Sequence, residues 1–590
     1  MLVARLFMVV YLLCVSLQAF AAPPNVVIVL TDDQGWGDLS IHGNTNLSTP
    51  NIDTLAQEGA LFSRFYVSPL CAPTRAELLT GRYHFRTGVR GVTRGRGRLN
   101  LDESTVFDMF KQAGYSTGMF GKWHNGTQDM YHPNERGLDE FYGFTSGHWG
   151  HYFDAPMEHN GEFVTGKGYM TDDLTDRALS FIEENKKSPF VCYLAYNTPH
   201  SPFQVPDKFY AKFDGVDVAM RHRDPKKESM LTTRAVLGMI ENIDWNVGRV
   251  MKKLEDLGLE DDTIFIYFSD NGPNSYRWNG GLKGKKSDSD EGGVRVPFMI
   301  KWPGHITPKA QVDRVAGVID ILPTLASLAG VNPVGTKALD GLDLTPLLSN
   351  ASADWADRQY LTRWRGMASV RNQRFMMDTE NNLFDIEKDP GQRNPVTAQH
   401  PEVAAAFKKV LDDIRTTVDY GLVEYSRPYS VGRSPKGFTQ LPARDARESG
   451  GIQRARNAPN SSYFTHWTSK QDIIRWNVDV GKTGLYEAVL YYACPEKDLG
   501  STIELAFGNE HVSEKITAKV TVAHDPPLLG EAEDRVPRGG ESYMKKFKPM
   551  TLGRIKLTET IGIFTLRALD IPGDSVMEFG TLVLRQVEDE

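Results

Sequence analysis

Short apolar runs recur along the first half of the chain, and each stops abruptly at polar residues. Residues 25–30 (NVVIVL) run into Thr31-Asp32-Asp33, and 116–120 run into Gly121-Lys122-Trp123-His124. Residues 190–195 lead to Tyr196-Asn197-Thr198-Pro199-His200, and 263–268 (TIFIYF) to Ser269-Asp270-Asn271-Gly272. Continuous runs of this length, rich in Val, Ile and aromatics, predict strands buried on both faces of an α/β sheet. Between them, Pro50 in a first turn and Gly59 past the last one bracket a helix. A long amphipathic helix is predicted over 234–257, leading into the TIFIYF strand. In open α/β sheets the ligand site lies at the carboxyl ends of the strands. Four such ends carrying Asp-Asp, Lys-x-His, His and Asp-Asn point to one shared site.

The pattern changes in the last third. Residues 426–465 are polar, with Arg, Ser, Gly and Pro and few apolar positions, and read as a linker or extended wrap. Beyond them Trp476-Val478-Val480, Ile503-Leu505-Phe507 and Phe564-Leu566-Ala568 alternate with polar neighbours. That period of two predicts half-buried antiparallel strands in a β-sandwich over 466–590. The sandwich resembles the jelly-roll modules that accompany secreted carbohydrate-active enzymes, leaving carbohydrate binding and a structural cap both open.

A chain of 590 residues calls for two or three domains. Its net charge of -8 argues against nucleic-acid binding, which demands a basic footprint. Residues 1–22 stand apart: Arg5, an apolar stretch over 6–17 and Ala19-Phe20-Ala21 predict a cleaved signal peptide. The protein is therefore expected to be secreted or periplasmic, and the apolar stretch is too short for a stable membrane span. Export favours disulfides. Yet loss of Cys14 with the leader leaves only Cys71, Cys192 and Cys494. Cys192 sits inside an apolar strand run and reads as a buried thiol. No disulfide framework is visible, which frees Cys71 for chemistry.

Asp32, Asp33, Asp270 and Asn271 offer hard oxygen ligands, suited to Ca²⁺ or Mg²⁺ rather than zinc. Cys71 opens CAPTRAELLTGRY, in which Pro73 fits a first helical turn and Gly81 stops the helix. A helix N-terminus offers free N–H groups and a positive dipole end to an anion. Arg75 adds a fixed charge one turn on. Taken alone, Cys71 reads as a reactive thiol.

CAPTRAELLTGRY resembles the sulfatase signature Cys-x-Pro-x-Arg followed by Leu-Thr-Gly-Arg, whose cysteine a maturing enzyme oxidises to formylglycine (3-oxoalanine). TDDQGWGD, GKWH, Pro199-His200, SDNG and EGGVRVP resemble the other blocks in the same order, closing with NLFDIEKDPGQRN. The chain thus resembles the type I sulfatases of the alkaline-phosphatase-like superfamily. The resemblance implies an alkaline-phosphatase-like mixed sheet flanked by helices over 23–425, including a small C-terminal sulfatase subdomain. It also implies hydrolysis of sulfate monoesters, on a sulfated carbohydrate, through a formylglycine gem-diol and a sulfo-enzyme intermediate.

By the same resemblance, Asp32, Asp33, Asp270, Asn271 and the modified Cys71 hold Ca²⁺, with Mg²⁺ as the alternative. Arg75 holds the hydrated aldehyde, and Lys122, His124, His200 and Lys286 surround the sulfate. His200 or Lys286 protonates the leaving oxygen, while His124 deprotonates the second hydroxyl. Lys283 and Lys285 compete with Lys286 for its place. Thr74 and Asn125 depart from the commoner family residues. Phosphoester or phosphonate hydrolysis, and silent binding of sulfated glycans, are the alternative functions. Arg90, Arg94, Arg96 and Arg98 read as a solvated loop or a polyanion subsite. Tyr142, His148, Trp149, His151 and Tyr152 read as substrate wall or loop core.

Overall fold

The computed structural model describes residues 23–417, 427–511 and 513–588, so the expected leader lies outside the described residues. Among these residues the main sheet comprises β1 (Asn25–Thr31), β2 (Ala60–Phe62), β3 (Ser116–Lys122), β4 (Glu140–Phe144), β5 (Pro156–His159), β6 (Glu162–Thr165), β7 (Phe190–Ala195), β8 (Thr263–Ser269), β9 (Phe298–Lys301) and β10 (Ala310–Val312). Their order is β10-β2-β9-β8-β1-β7-β3-β4-β5-β6. The centre, β8-β1-β7-β3-β4, is parallel, and β9 and β5 join it antiparallel. This is the α/β sheet that the apolar runs predict, with the mixed strand directions that the resemblance implies.

Four helices matter for the site: α1 (Pro50–Glu58), α2 (Cys71–Thr80), α3 (Met170–Asn185) and α4 (Met230–Asp256). Val26, Ile28 and Leu30 of β1 pack into one core with α2, whereas Val27 and Val29 pack into another with α1, α3 and α4. Every position of the strand is therefore buried, which is why the run is apolar without alternation. Helix α4 begins earlier than its periodicity suggests, because the Ser229 side chain accepts the Thr232 N–H and caps it. After the main sheet, four strands between Tyr360–Trp364 and Leu383–Asp385 form a small antiparallel sheet, packed by the helix Pro401–Thr417.

Two six-stranded sheets then enclose a core that includes Trp467, Trp476, Phe507, Phe564 and Phe579. The linker expected over 426–465 needs correction, since much of it is strand. Tyr429–Val431 pairs with Ile473–Val480, and Phe438–Pro442 pairs with Glu578–Val587. Arg447–Ser449, Gln453–Arg454 and Phe464–Thr465 also join the sheets. Its polarity misleads because these strands are short and their side chains serve the contact with the first domain. Ser430 donates to Asp129, Gln440 to Glu158, and Arg444 to Thr127 and Thr145. A wrap that buries polar partners needs few apolar residues.

Candidate active site

The register of β1 against β8 pairs Thr31 with Ser269, so the residues that follow each strand emerge side by side. Asp33 N–H donates to Asp270 Oδ1 at 3.3 Å, and Asn271 Nδ2 donates to Asp33 Oδ1 at 2.7 Å. Cys71, the first residue of α2, brings its Sγ into one group with carboxylate oxygens of Asp32 and Asp270, all within 4.8 Å of one another. Asp32, Asp33 and a ring nitrogen of His200 form a second such group. Lys122 ends β3 and meets Asp32 Oδ2 at 2.5 Å, while Lys286 meets Asp33 Oδ1 at 2.7 Å. Arg75 grips Asp270 Oδ2 through Nη2 and Nε at 2.9 and 3.1 Å, and donates to Lys122 O at 2.6 Å.

Lys283 instead pairs with Asp290 and Asp378, and Lys285 lies over the Tyr276 ring. His124 stands to one side, its Nε2 donating to Val92 O at 2.9 Å while Nδ1 is buried without a partner.

Three buried ligand oxygens, Asp32 Oδ1, Asp33 Oδ2 and Asn271 Oδ1, have no hydrogen-bond partner. Bare buried oxygens are costly, and a set of hard donors from two strand ends fits a divalent cation. The electrostatics agree. Burial, reinforced by the charge of Asp32, pushes Asp270 up to about 8 against the pull of Arg75. Burial works against Asp32 as well, but Lys122 foremost, with His200, Lys286 and Arg75, holds it well below the usual carboxylate range. A cation between them would let both ionise. Burial, then the charge of Lys122, holds His124 well below the usual histidine range, leaving a neutral ring with Nδ1 as a free acceptor.

Arg75 is as much a structural bolt as a site residue. Arg75→Ala leaves the buried Asp270 carboxyl without two donors, so we expect a loss of about 1–3 kcal/mol of unfolding free energy by urea denaturation. A loss within experimental error would show that Arg75 has no structural part.

Several supports escape sequence reasoning. Arg277 Nη2 donates to Asp33 O at 3.0 Å, and its guanidinium grips Asp38 at 2.5 and 2.8 Å. It fixes the turn in which Asp33 takes a left-handed φ of 70°. Asp38 belongs to TDDQGWGD and was within reach of a motif reading; Arg277 gave no such signal. A Cβ on Gly272 would lie 2.1 Å from Gly292 O, so glycine alone lets the β8 end close on the turn that carries Lys286.

Asn125 Nδ2 donates to Ala72 O and Gly97 O at 3.2 and 3.3 Å, and Thr74 Oγ1 to Ser68 O at 3.1 Å. Both departures from the family pattern thus secure the start of α2. Arg98 is buried between Tyr131 and Tyr429 and donates to Gly95 O, Arg427 O and Pro428 O. It is therefore a clasp rather than a subsite; Arg94 is exposed. Tyr142, within β4, bonds Asp173 and Trp149 stacks on Phe144, both packed against the core, whereas His148 stacks on His200.

The Sulfatase family model matches residues 24–331, and that for N-sulphoglucosamine sulphohydrolase, C-terminal, matches residues 286–417. N-acetylgalactosamine-6-sulfatase of Mus musculus is 33% identical over 362 residues, covering 55% of this chain and 66% of the relative, just under two thirds of its length. Human arylsulfatase A is 31% identical, covering 66% of this chain and 88% of its own. The structure of Ps i-CgsB in complex with k-i-k-neocarrahexaose is similar at a TM-score of 0.60 and 30% identity, over 68% of this chain and 94% of that one.

Proposed function

This chain belongs to the sulfatase family, and on that premise we propose that it hydrolyses sulfate monoesters of a carbohydrate. In this reading Cys71 is carried as formylglycine, and Asp32, Asp33, Asp270 and Asn271 hold Ca²⁺, with Mg²⁺ as the alternative. The observation that carries the reading is the meeting of three bare ligand oxygens with Cys71, Lys122, Lys286 and Arg75 at one set of strand ends. The relatives' names support a carbohydrate: one is an N-acetylgalactosamine sulfatase, another was crystallised with a neocarrahexaose.

The hydrated aldehyde would supply a hydroxyl nucleophile, and the cation would acidify it and share the negative charge of the sulfate. The chain's own residues supply the remainder. Lys122 and Lys286 face the sulfate oxygens in a buried site, where each charge counts for more than in water. His200 Nδ1 donates to Ser201 O at 2.7 Å, so a proton on Nε2 makes the ring an acid able to serve the departing alcohol. Nδ1 of His124 is the matching acceptor for the proton of the second hydroxyl, whose loss lets the aldehyde re-form as sulfate departs. Cys71 is 4% exposed, so a maturing enzyme would have to reach it before α2 packs. The leader pattern over 1–22 supports export, and no described helix is long and apolar enough to cross a membrane.

A panel of defined sulfated saccharides, assayed beside the matching phosphate esters in one preparation, tests the reading. Sulfate release should be the faster; preferential phosphate release would move the chain to the phosphoester alternative. Lys286→Ala should lower kcat about 10²–10³-fold, with some loss of melting temperature because buried Asp33 loses its ion-pair partner. An effect confined to KM would reduce Lys286 to ground-state binding.

A further inference from the structure

Behind His200 stands a carboxylate that the catalytic reading has not used, and it comes from the sandwich. Glu541 lies between the strands Ser513–Lys519 and Lys548–Leu557. Its Oε1 accepts the Ser201 hydroxyl at 2.7 Å, 340 residues away in sequence, and sits 4.0 Å from His200 Nδ1. Ser201 O is the acceptor for that same Nδ1. The Tyr152 hydroxyl donates to Ser201 O at 2.8 Å, closing the loop from the other side. The His200 ring is stacked on His148 at 5.8 Å and 14°, and His148 Nε2 meets Ser461 Oγ, another sandwich residue, at 3.0 Å.

The opposite edge of the ring points Nε2 at Asp33, 3.5 Å away. The side chain of Glu541 is 16% exposed. Burial opposes its charge, but His148 foremost, then His200 and the Ser201 hydroxyl, keep it below the ordinary glutamate range. Its segment is held as well, because Arg538 grips Asp534 and donates to Gly150 O and Ser542 O.

A docking contact to a serine hydroxyl does not call for a buried charge, since a neutral acceptor costs less to desolvate. A carboxylate behind a histidine has another use, fixing the ring's orientation and tautomer. We propose that Glu541 is a positioning residue for His200, holding Nε2 toward the departing oxygen, so that the sandwich completes the catalytic pocket. The inference rests on the sulfatase reading and on the acid role of His200 within it. In the step served, the nucleophile hydroxyl passes its proton to a carboxylate such as Asp270 as its oxygen bonds to sulfur, and the bond from sulfur to the ester oxygen breaks. That oxygen keeps the electron pair and takes the proton from His200 Nε2.

The test uses full-length protein carrying the converted Cys71, a sulfated saccharide that the parent enzyme hydrolyses, and 4-nitrophenyl sulfate. Nitrophenolate leaves without acid help, whereas a sugar alkoxide does not. Glu541→Ala should lower kcat on the saccharide about tenfold or more, leave KM within about twofold, and spare 4-nitrophenyl sulfate turnover. Glu541→Gln, which keeps an acceptor for Ser201 but removes the charge, should retain most of the saccharide-selective loss, and full recovery of the saccharide rate would reduce Glu541 to a docking contact and overturn the proposal. Equal losses on both esters, a change in KM alone, or no change would overturn the proposal. If Glu541→Ala does not fold, Glu541→Asp must show the same saccharide-selective loss, or the proposal fails. A converted wild type that releases sulfate from neither ester would overturn the sulfatase reading itself, a separate outcome.

Discussion

Cys71→Ala is expected to lower sulfate release by about 10⁵–10⁶-fold, close to complete loss, while the protein folds as before. Cys71 is the first residue of α2, where Ala is a good helix former, and the substitution removes only the atoms beyond Cβ from a buried site. Arg75 keeps Asp270 and Lys122 O, and Lys122 and Lys286 keep their aspartates, so the charge lattice has no reason to rearrange. Loss of activity with an unchanged melting temperature would therefore place the chemistry on residue 71. Cys71→Ser sharpens the case, because serine offers one hydroxyl where a hydrated aldehyde offers two. It should give no repeated turnover. Mass spectrometry of the peptide around residue 71 completes the measurement: an active preparation should carry the aldehyde, and a wholly retained thiol in active enzyme would sink the mechanism. The other thiols do not compete. Cys192 is raised by burial and Cys494 is pushed by burial up to about 11.

The residues just described were legible in sequence for a physical reason. A strand buried on both faces must be apolar throughout, so Asp32-Asp33 and Asp270-Asn271 stand out where burial by side chains ends and the ligand crevice begins. Choosing Lys286 over Lys283 and Lys285 was less legible, since three lysines in one loop differ only by the turn geometry. Lys286 N–H donates to Pro273 O, which anchors that turn beside the end of β8. What sequence could not convey lies in contacts of long range. Arg277 and Glu541 carry no local pattern, and each acquires meaning only when the fold brings it behind Asp33 or His200. The strands of 429–465 were hidden for a related reason: they pay for burial with hydrogen bonds to Asp129, Glu158 and Thr145, not with apolar area.

Stripping the divalent cation is expected to lower sulfate release at least about 10³-fold, corresponding to the several kcal/mol such an ion contributes to a developing charge. Asp32 and Asp270 then lack the ion between them, and Asp270, pushed up to about 8 by burial and by Asp32 against the pull of Arg75, holds a proton at neutral pH. The sign of the stability effect follows. The folded ion-free protein binds a proton that the unfolded chain releases above the ordinary aspartate range. This contribution of Asp270 to stability is thus fully present at acid pH and declines as pH rises toward 8. Cation binding demands the ionised carboxylate, so affinity should climb over the same interval, and loaded protein should lose the decline. At free cation about 100 times Kd, unfolding free energy should rise by about 2.7 kcal/mol. Chelation followed by separate return of Ca²⁺ and Mg²⁺, read by melting temperature and by sulfate release across pH 5–8, tests each link. Full activity and an unchanged melting curve after exhaustive chelation would leave Asp32 Oδ1, Asp33 Oδ2 and Asn271 Oδ1 without the partner their burial demands, and the cation would have to be abandoned. Ca²⁺ is expected to restore more than Mg²⁺, because a site that draws carboxylate and amide oxygens from two loops tolerates the larger, less regular shell more readily than a strict octahedron.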